Sequence, residues 1–220
     1  MRKITATILA GGLALSTAFA VAGPASERVF SRAALEQVKD SQQVVYTHRR
    51  TGKTDPLDNG EIRVLVQQGQ AGRTARVTMG EQDKLRPVSE WPASSGNPVL
   101  PIFLESTLRT MAKGTGGSEF YIRNRIKEAL GTGGTIKEVN LDLDGASIAA
   151  TEITFEPFVR DKNRARMGGF ADLRLVFLVS DALPGDVVRF FATTVAAEDV
   201  GKIEPFYSEE IAFSKLTGGN

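Results

Sequence analysis

Hydrophobic and polar residues alternate along three stretches in the first half of the chain. The stretches are 43–50, 62–67 and 73–79, in which β-branched, aromatic and other apolar side chains recur at alternate positions. A period of two is typical of a strand that buries one face. The turn-rich stretch 51–60 separates the first two, so the sequence predicts a hairpin that continues into a meander of at least three strands.

Other stretches repeat their apolar residues at helical spacing. The stretch 27–39 has one largely apolar side, formed by Val29, Phe30, Ala33, Ala34, Gln37 and Val38. Asn97 and Ser118 are N-cap residues ahead of two further stripes, and Gly114 and Gly131 follow these stripes. The sequence therefore predicts an N-terminal helix and a central helical hairpin.

The stretch before the hairpin is rich in proline. It runs from residue 87 to 101 and contains Pro87, Pro92, Pro98 and Pro101. Because proline lacks a backbone N–H and restricts the residue before it, such a run disfavours regular structure. The sequence predicts a surface loop up to Asn97.

The second half of the chain is dense in strand patterns. Asp144-Gly145 is a turn signal between two alternating stretches. The stretch 173–179 is apolar on both faces, which is typical of an interior strand. The predicted strands, of which the last is short, are 139–143, 152–156, 173–179, 187–195 and 210–216.

Strands in this sequence come in runs rather than alternating with helices, which distinguishes an antiparallel α+β fold from a doubly wound parallel one. The sequence predicts a curved antiparallel sheet of about eight to ten strands, with an N-terminal helix and a central helical hairpin. We expect a single domain over residues 23–220, because one sheet of this size is often one domain.

The first 22 residues have the pattern of a secretory signal peptide. Arg2 and Lys3 precede an uncharged, mostly apolar stretch from 4 to 21, and Ala20-Val21-Ala22 is a small-x-small cleavage site. We therefore predict a periplasmic or secreted protein that begins at Gly23. The alternative is an uncleaved membrane anchor, for which about 18 apolar residues is near the lower limit.

Charge and cysteine content reduce the number of function classes that the sequence allows. The chain has 27 Lys and Arg, 26 Asp and Glu and no Cys. Loss of Arg2 and Lys3 would leave 25 basic residues and a net charge near −1. Nucleic-acid affinity depends largely on surplus cations, so we expect no nucleic-acid partner. Thiol catalysis, disulfides and Cys-ligated metals are excluded.

The sequence gives little support for metal or catalytic chemistry. The stretch 140–145 resembles the start of a calcium loop, but Thr151 stands where the pattern needs a bidentate Glu. The glycines at 114–117 and 131–134 are better read as helix ends than as a phosphate loop. His48, the only histidine, has no Gly-x-Ser-x-Gly motif to accompany it. We predict no catalytic residue, metal or cofactor.

Basic residues are concentrated in one loop between Phe158 and Met167. These residues are Arg160, Lys162, Arg164 and Arg166. They form a candidate docking site for an acidic protein partner or for anionic lipid headgroups, which includes peripheral membrane contact. The alternative is a solvated surface without a partner.

In the order of its elements, the chain resembles the periplasmic lipoprotein-carrier family. Members begin with a short helix that runs into a strand, and wrap a curved antiparallel half-barrel around helices that cover its hollow face. Residues 31–50 (SRAALEQVKDSQQVVYTHRR) match this opening, and the helical hairpin 97–130 matches the cover. The resemblance is one of architecture, so no site residue is carried over.

Three functional hypotheses follow. The first is an exported, non-catalytic protein that binds a lipid or another apolar ligand in a concavity of the sheet. The second is an envelope protein-interaction or assembly factor that uses the basic loop. The third is a hydrolase built around His48. The sequence leaves the ligand, the partner and the oligomeric state open.

Overall fold

The computed structural model describes residues 23–53, 59–81, 84–143, 145–196, 199 and 201–218. The predicted signal peptide, 1–22, lies outside the described residues. The helices are α1 (Pro24–Phe30), α2 (Val99–Thr115) and α3 (Glu119–Thr132), with short 3₁₀ helices at Ala93–Ser95 and Arg164–Phe170. The strands are β1 (Gln43–Gly52), β2 (Gly60–Gly69), β3 (Gly72–Gly80), β4 (Arg86–Pro92), β5 (Thr135–Leu143), β6 (Ala146–Phe155), β7 (Arg174–Val179), β8 (Val187–Thr193) and β9 (Tyr207–Thr217).

The strands form one nine-stranded sheet in the order β4-β3-β2-β1-β9-β8-β7-β6-β5. All neighbouring pairs are antiparallel. The chain runs outward from β1 to the β4 edge, crosses through α2 and α3, and returns inward from β5 to β9. This curved antiparallel sheet with its N-terminal helix and helical hairpin confirms the predicted α+β class.

The helices lie against one face of the sheet, which we call the inner face. Phe103 and Met111 of α2 and Ile122 of α3 are almost completely buried. Phe103 contacts the rings of Phe177 and Phe190 at centroid distances of 5.8 and 5.7 Å. The apolar stripes of the helical hairpin therefore cover the β7–β8 part of the sheet. Among the described residues, none of the helices combines the length and apolar character that crossing a membrane requires.

The N-terminal helix is shorter than predicted. It ends at Phe30, whereas the apolar pattern predicted a helix over 27–39. Arg32 turns away to form ion pairs with Asp181 and Asp186, the latter at 3.0 Å. Leu35, which the helical stripe did not include, is completely buried after this turn. Long-range ion pairing and burial thus replace the second half of the predicted helix.

The proline-rich stretch is not the surface loop that the sequence predicted. Residues Arg86–Pro92 form the edge strand β4, followed by a 3₁₀ turn. An edge strand tolerates proline because one side of its backbone needs no ladder hydrogen bond. The register shifts between Val77 and Thr78, so that Val88 bulges next to Pro87. Edge position and bulge together accommodate the prolines.

The last strand is the longest in the sheet, not a short one. β9 extends over Tyr207–Thr217 and pairs with both β1 and β8 at the centre of the sheet. The sequence predicted only the segment 210–216, so the prediction left out Tyr207, Ser208 and Glu209. Glu209 is nevertheless completely buried.

Candidate functional site

A groove runs between α2 and the β3–β4 edge of the inner face. We call it the sheet groove, and its volume is about 670 Å³. Apolar side chains contribute much of its surface, and charged ones lie along α2. Its lining residues are Arg50, Met79, Val88, Ser89, Trp91, Pro101, Ile102, Glu105, Ser106, Arg109, Thr110 and Lys113.

The pairing register of β3 and β4 determines which of their residues form the wall of this groove. Ala75 pairs with Trp91 and Val77 pairs with Ser89, so alternate residues of β3 and β4 share one face. The indole Nε1 of Trp91 donates to Ser89 Oγ at 2.6 Å. This bond satisfies the only polar atom of the indole, so the rest of the ring is available for apolar contact.

A second groove lies on the other side of α2, between α1, α2 and α3. We call it the helix groove; its volume is about 460 Å³, and its lining is mostly apolar. Its lining residues are Ser26, Phe30, Pro101, Leu104, Glu105, Leu108, Arg123, Ile126, Lys127, Leu130 and Gly131. Pro101 and Glu105 line both grooves.

A charged cluster marks the ridge between the grooves. Arg109 Nε lies 2.8 Å from Glu105 Oε1, and Arg123 Nη2 lies 2.9 Å from Glu105 Oε2. Partial burial raises the pKa of the Glu105 carboxyl, but hydrogen bonds and attraction from the two arginines outweigh it and lower that pKa below its usual value. The ridge thus carries two cations and one anion.

A buried polar network lies below α2 at the centre of the sheet. His48 Nε2 lies 2.8 Å from Glu209 Oε1, and Tyr207 donates its hydroxyl to Glu209 Oε2. Arg50 Nη2 lies 3.6 Å from Glu209 Oε1 and donates to Ser106 Oγ of α2 at 2.6 Å. Burial raises the pKa of Glu209, but hydrogen bonds from His48, Tyr207 and Ser106 outweigh it and hold that pKa below its ordinary value.

The network favours a structural role for His48. The residue is 3% exposed, and its Nε2 contacts a carboxylate that also accepts from Tyr207. In a Ser-His-Asp arrangement the imidazole contacts a carboxylate through one ring nitrogen and the nucleophilic hydroxyl through the other. Here the hydroxyls of Tyr207 and Thr107 lie against Glu209, and the hydroxyl of Ser106 accepts from Arg50.

The structure separates the four basic loop residues into two kinds. Arg160, Lys162 and Arg166 are exposed. Arg164 instead donates to the carbonyl of Ala171 and pairs with Asp172, so it closes the loop on itself. Within the described residues, no group of three or more His, Asp, Glu or Cys is placed to hold a metal ion.

Asp161 is also engaged within this part of the chain. Tyr121 of α3 donates its hydroxyl to both Asp161 oxygens at 2.8 and 2.9 Å, and Asn163 donates to that hydroxyl at 2.9 Å. These bonds fix the basic loop to the start of α3. The three exposed cations therefore lie on a loop that hydrogen bonds attach to α3.

Sequence reasoning missed Trp91, Glu209 and the ridge cluster. The sequence predicted a loop around Trp91, so it could not indicate that Trp91 lies on the same face of the sheet as its neighbours in β3. A signal for Glu209 did exist, because it stands two residues after Tyr207 and two before Ile211, which are both apolar or aromatic. Period-two burial of an acidic residue indicates a buried partner, which a single sequence does not name.

No known protein-family profile matches the chain, and no curated protein sequence matches it. Among solved structures, it is similar to the crystal structure of the Mycobacterium tuberculosis lipoprotein LppX. The identity is 15%, the TM-score is 0.37, and the match covers 86% of this chain and 94% of the other. No residue of this chain takes a role from that similarity.

Proposed function

We propose that this chain is an exported, non-catalytic protein that binds a lipid or another apolar ligand in the sheet groove. The observation that carries the proposal is an open groove of about 670 Å³ on the inner face, beside the packed aromatic rings of β6–β8. Ligand sites commonly have volumes of about 300–1,000 Å³ and combine apolar walls with a few polar groups. Met79, Trp91 and Ile102 provide apolar wall here.

Packing elsewhere supports this location. Over β6–β8, the rings of Phe103, Phe155, Phe177 and Phe190 pack at centroid distances of 5.2–5.8 Å. The cavity beside them, lined by Leu100, Val179 and Phe190, is smaller, at about 200 Å³. Over β3–β4, α2 does not reach the sheet in the same way, and the groove remains. A ligand in the concavity would therefore lie on the β3–β4 side.

The direct test is a native mass spectrum of the protein isolated from the envelope of cells that export it. We expect one bound lipid-class molecule per chain, and a chain that begins at Gly23 after signal cleavage. A spectrum of the bare chain, with nothing released by solvent extraction, would contradict the binding proposal. A chain that still begins at Met1 would contradict the predicted cleavage but not the groove.

A pair of matched variants locates the ligand. Ile102→Asp introduces a carboxylate into the sheet groove, and Ile136→Asp introduces the same group on the far edge strand β5, where the side chain is 41% exposed. We expect the first variant to lose co-purified ligand about tenfold and the second to retain it. Equal retention by two folded variants would place the ligand elsewhere.

A second proposal concerns the basic loop. Arg160, Lys162 and Arg166 are exposed while Asp161 is bound by Tyr121 and Asn163, which favours docking to an acidic envelope protein. Reversal of the three charges to Glu should abolish salt-sensitive capture of that protein. A control reversal of exposed Lys39 should leave it unchanged, and an unaltered set of captured proteins in the loop variant would contradict the proposal.

A further inference from the structure

The two grooves adjoin across a single turn of α2. Pro101 and Glu105 stand four residues apart and line both cavities. An α-helix with its side chains is about 10 Å across, so the grooves are separated by little more than the helix itself. One molecule with two apolar arms could therefore occupy both grooves if it crossed α2 at this turn.

Both grooves have walls suited to hydrocarbon. Met79, Trp91 and Ile102 contribute to the sheet groove, and Leu104, Ile126 and Leu130 contribute to the helix groove. Their volumes of about 670 and 460 Å³ are each in the range of a single ligand site. Single-chain ligands would leave one of these apolar surfaces exposed to water, which is unfavourable.

Cationic side chains outnumber carboxylates in the lining of the two grooves. Five cationic side chains and one carboxylate, that of Glu105, line them, and one of the five, Arg50, is paired with the buried Glu209. The cations are Arg50, Arg109, Lys113, Arg123 and Lys127. On the ridge, Glu105 is shared between Arg109 and Arg123, so this cluster has a net charge of +1. A second anion at the ridge would neutralise it.

We infer that the ligand is a two-chain lipid with an anionic headgroup that straddles α2. One acyl chain lies in the sheet groove and the other lies in the helix groove, while the phosphate lies at Arg109 and Arg123. Guanidinium groups bind phosphate through directed hydrogen bonds, and the side chains of Arg109 and Arg123 are 69% and 49% exposed. This inference rests on the proposed lipid-binding function and names its ligand class.

The first test compares three ligands on the wild-type chain. Phosphatidylglycerol has two chains and a negative charge, diacylglycerol has two chains without a charge, and oleate has one chain with a charge. We expect phosphatidylglycerol to bind at least tenfold more tightly than either of the others. Equal affinities for all three would overturn the inference while leaving lipid binding intact. Absence of binding by all three would overturn the inference, while the native mass spectrum decides separately whether the sheet groove holds another apolar ligand.

Crosslinking maps the two chains without any substitution. Phosphatidylglycerol with a photoreactive diazirine in both acyl chains should label peptides of β3–β4 and, separately, peptides of α3. Labelling confined to β3–β4 would show that only the sheet groove holds hydrocarbon, and would overturn the straddling arrangement. The same result would still support the proposed function.

A variant pair tests the headgroup position. Arg109→Gln combined with Arg123→Gln should remove the preference for phosphatidylglycerol over diacylglycerol and leave diacylglycerol binding unchanged. Arg76→Gln combined with Arg63→Gln, on β3 and β2 but outside the lining of both grooves, is the matched control and should keep the preference. A ridge variant that keeps the full preference would overturn the assignment of the phosphate to the ridge.

Discussion

The inner face of the sheet has two halves that the same helix covers differently. Over β6–β8, Phe177 contacts Phe103, Phe155 and Phe190 at centroid distances of 5.2–5.8 Å, and all four rings are buried. Over β3–β4, Trp91 is only half-buried and faces the sheet groove. One half is therefore closely packed, and the other has an open groove.

The boundary between the halves is polar. Glu209, His48 and Arg50 lie on the central strands β9 and β1, directly below Ser106 and Thr107 of α2. Unlike apolar packing, these bonds fix where α2 sits over the sheet, since each donor needs a particular acceptor. Helix α2 is therefore held to the sheet by aromatic packing over β6–β8 and by directional hydrogen bonds at the centre.

The largest expected effect is in the packed half. Phe177→Ala should lower the free energy of unfolding by about 3–5 kcal/mol, because it leaves a cavity among rings that cannot collapse freely. Trp91→Ala in the open half should cost less than half as much and should instead weaken lipid binding. Urea unfolding of both variants measures the difference. Equal losses of stability would remove the distinction between the halves.

The next largest effect on stability is expected at the polar boundary between the two halves. Glu209→Gln should cost about 2–3 kcal/mol at pH 7, since it weakens hydrogen bonds to a buried charge. Because the folded-state pKa of Glu209 is below the ordinary value of 4.5, its stabilisation is complete above that pH and is lost as the pH falls through the folded-state pKa.

Urea midpoints measured from pH 7 to pH 3 test whether stability falls with pH in this direction. Wild type should lose more stability than the Gln variant over the acid part of that range, so the two curves should approach each other. Curves that remain parallel down to pH 3 would show that the Glu209 carboxylate contributes no pH-dependent stability.

Much of the fold could be predicted from the sequence because the patterns that mark it are local. Alternation in β1–β3, the Ser118 cap and the apolar stripes of α2 and α3 each depend on residues close together in the chain. The prediction of the second half of the N-terminal helix was wrong because Arg32 pairs with Asp186, which is distant in sequence. Local periodicity cannot detect such a partner.

The candidate site could not be predicted for the same reason. The sheet groove is formed by α2 and by residues of β1, β3 and β4, among them Arg50, Met79 and Trp91, so it can be recognised only once the strand register is known. The basic loop was visible as charge, but the bond from Tyr121 to Asp161 that holds it was not. Of its four cations, the structure shows Arg164 bound within the loop.

A smaller effect is expected where α2 begins. Asn97 Oδ1 accepts from the Val99 N–H at 3.0 Å, and Asn97 Nδ2 donates to Tyr46 and to the Gly185 carbonyl. Asn97→Ala should cost about 1–2 kcal/mol, because it removes both the acceptor of the Val99 N–H and the bridge to Tyr46 and Gly185. Asn97→Asp keeps that acceptor and should recover part of the loss in thermal unfolding. No recovery would mean that the bridge, not the bond to Val99, matters here.

The smallest effect is expected at the β4 edge of the open half. Arg76 Nε lies 3.6 Å from Glu90 Oε2, and both side chains are about half exposed. Exposed ion pairs contribute about 0–1 kcal/mol, so Glu90→Gln should change stability by less than about 0.5 kcal/mol. Hydrogen exchange of the β3 amides is the sharper measurement, since it reports local opening of this edge. Faster exchange in the variant would show that the ion pair, rather than the backbone ladder, keeps β4 on the sheet and the wall of the groove in place.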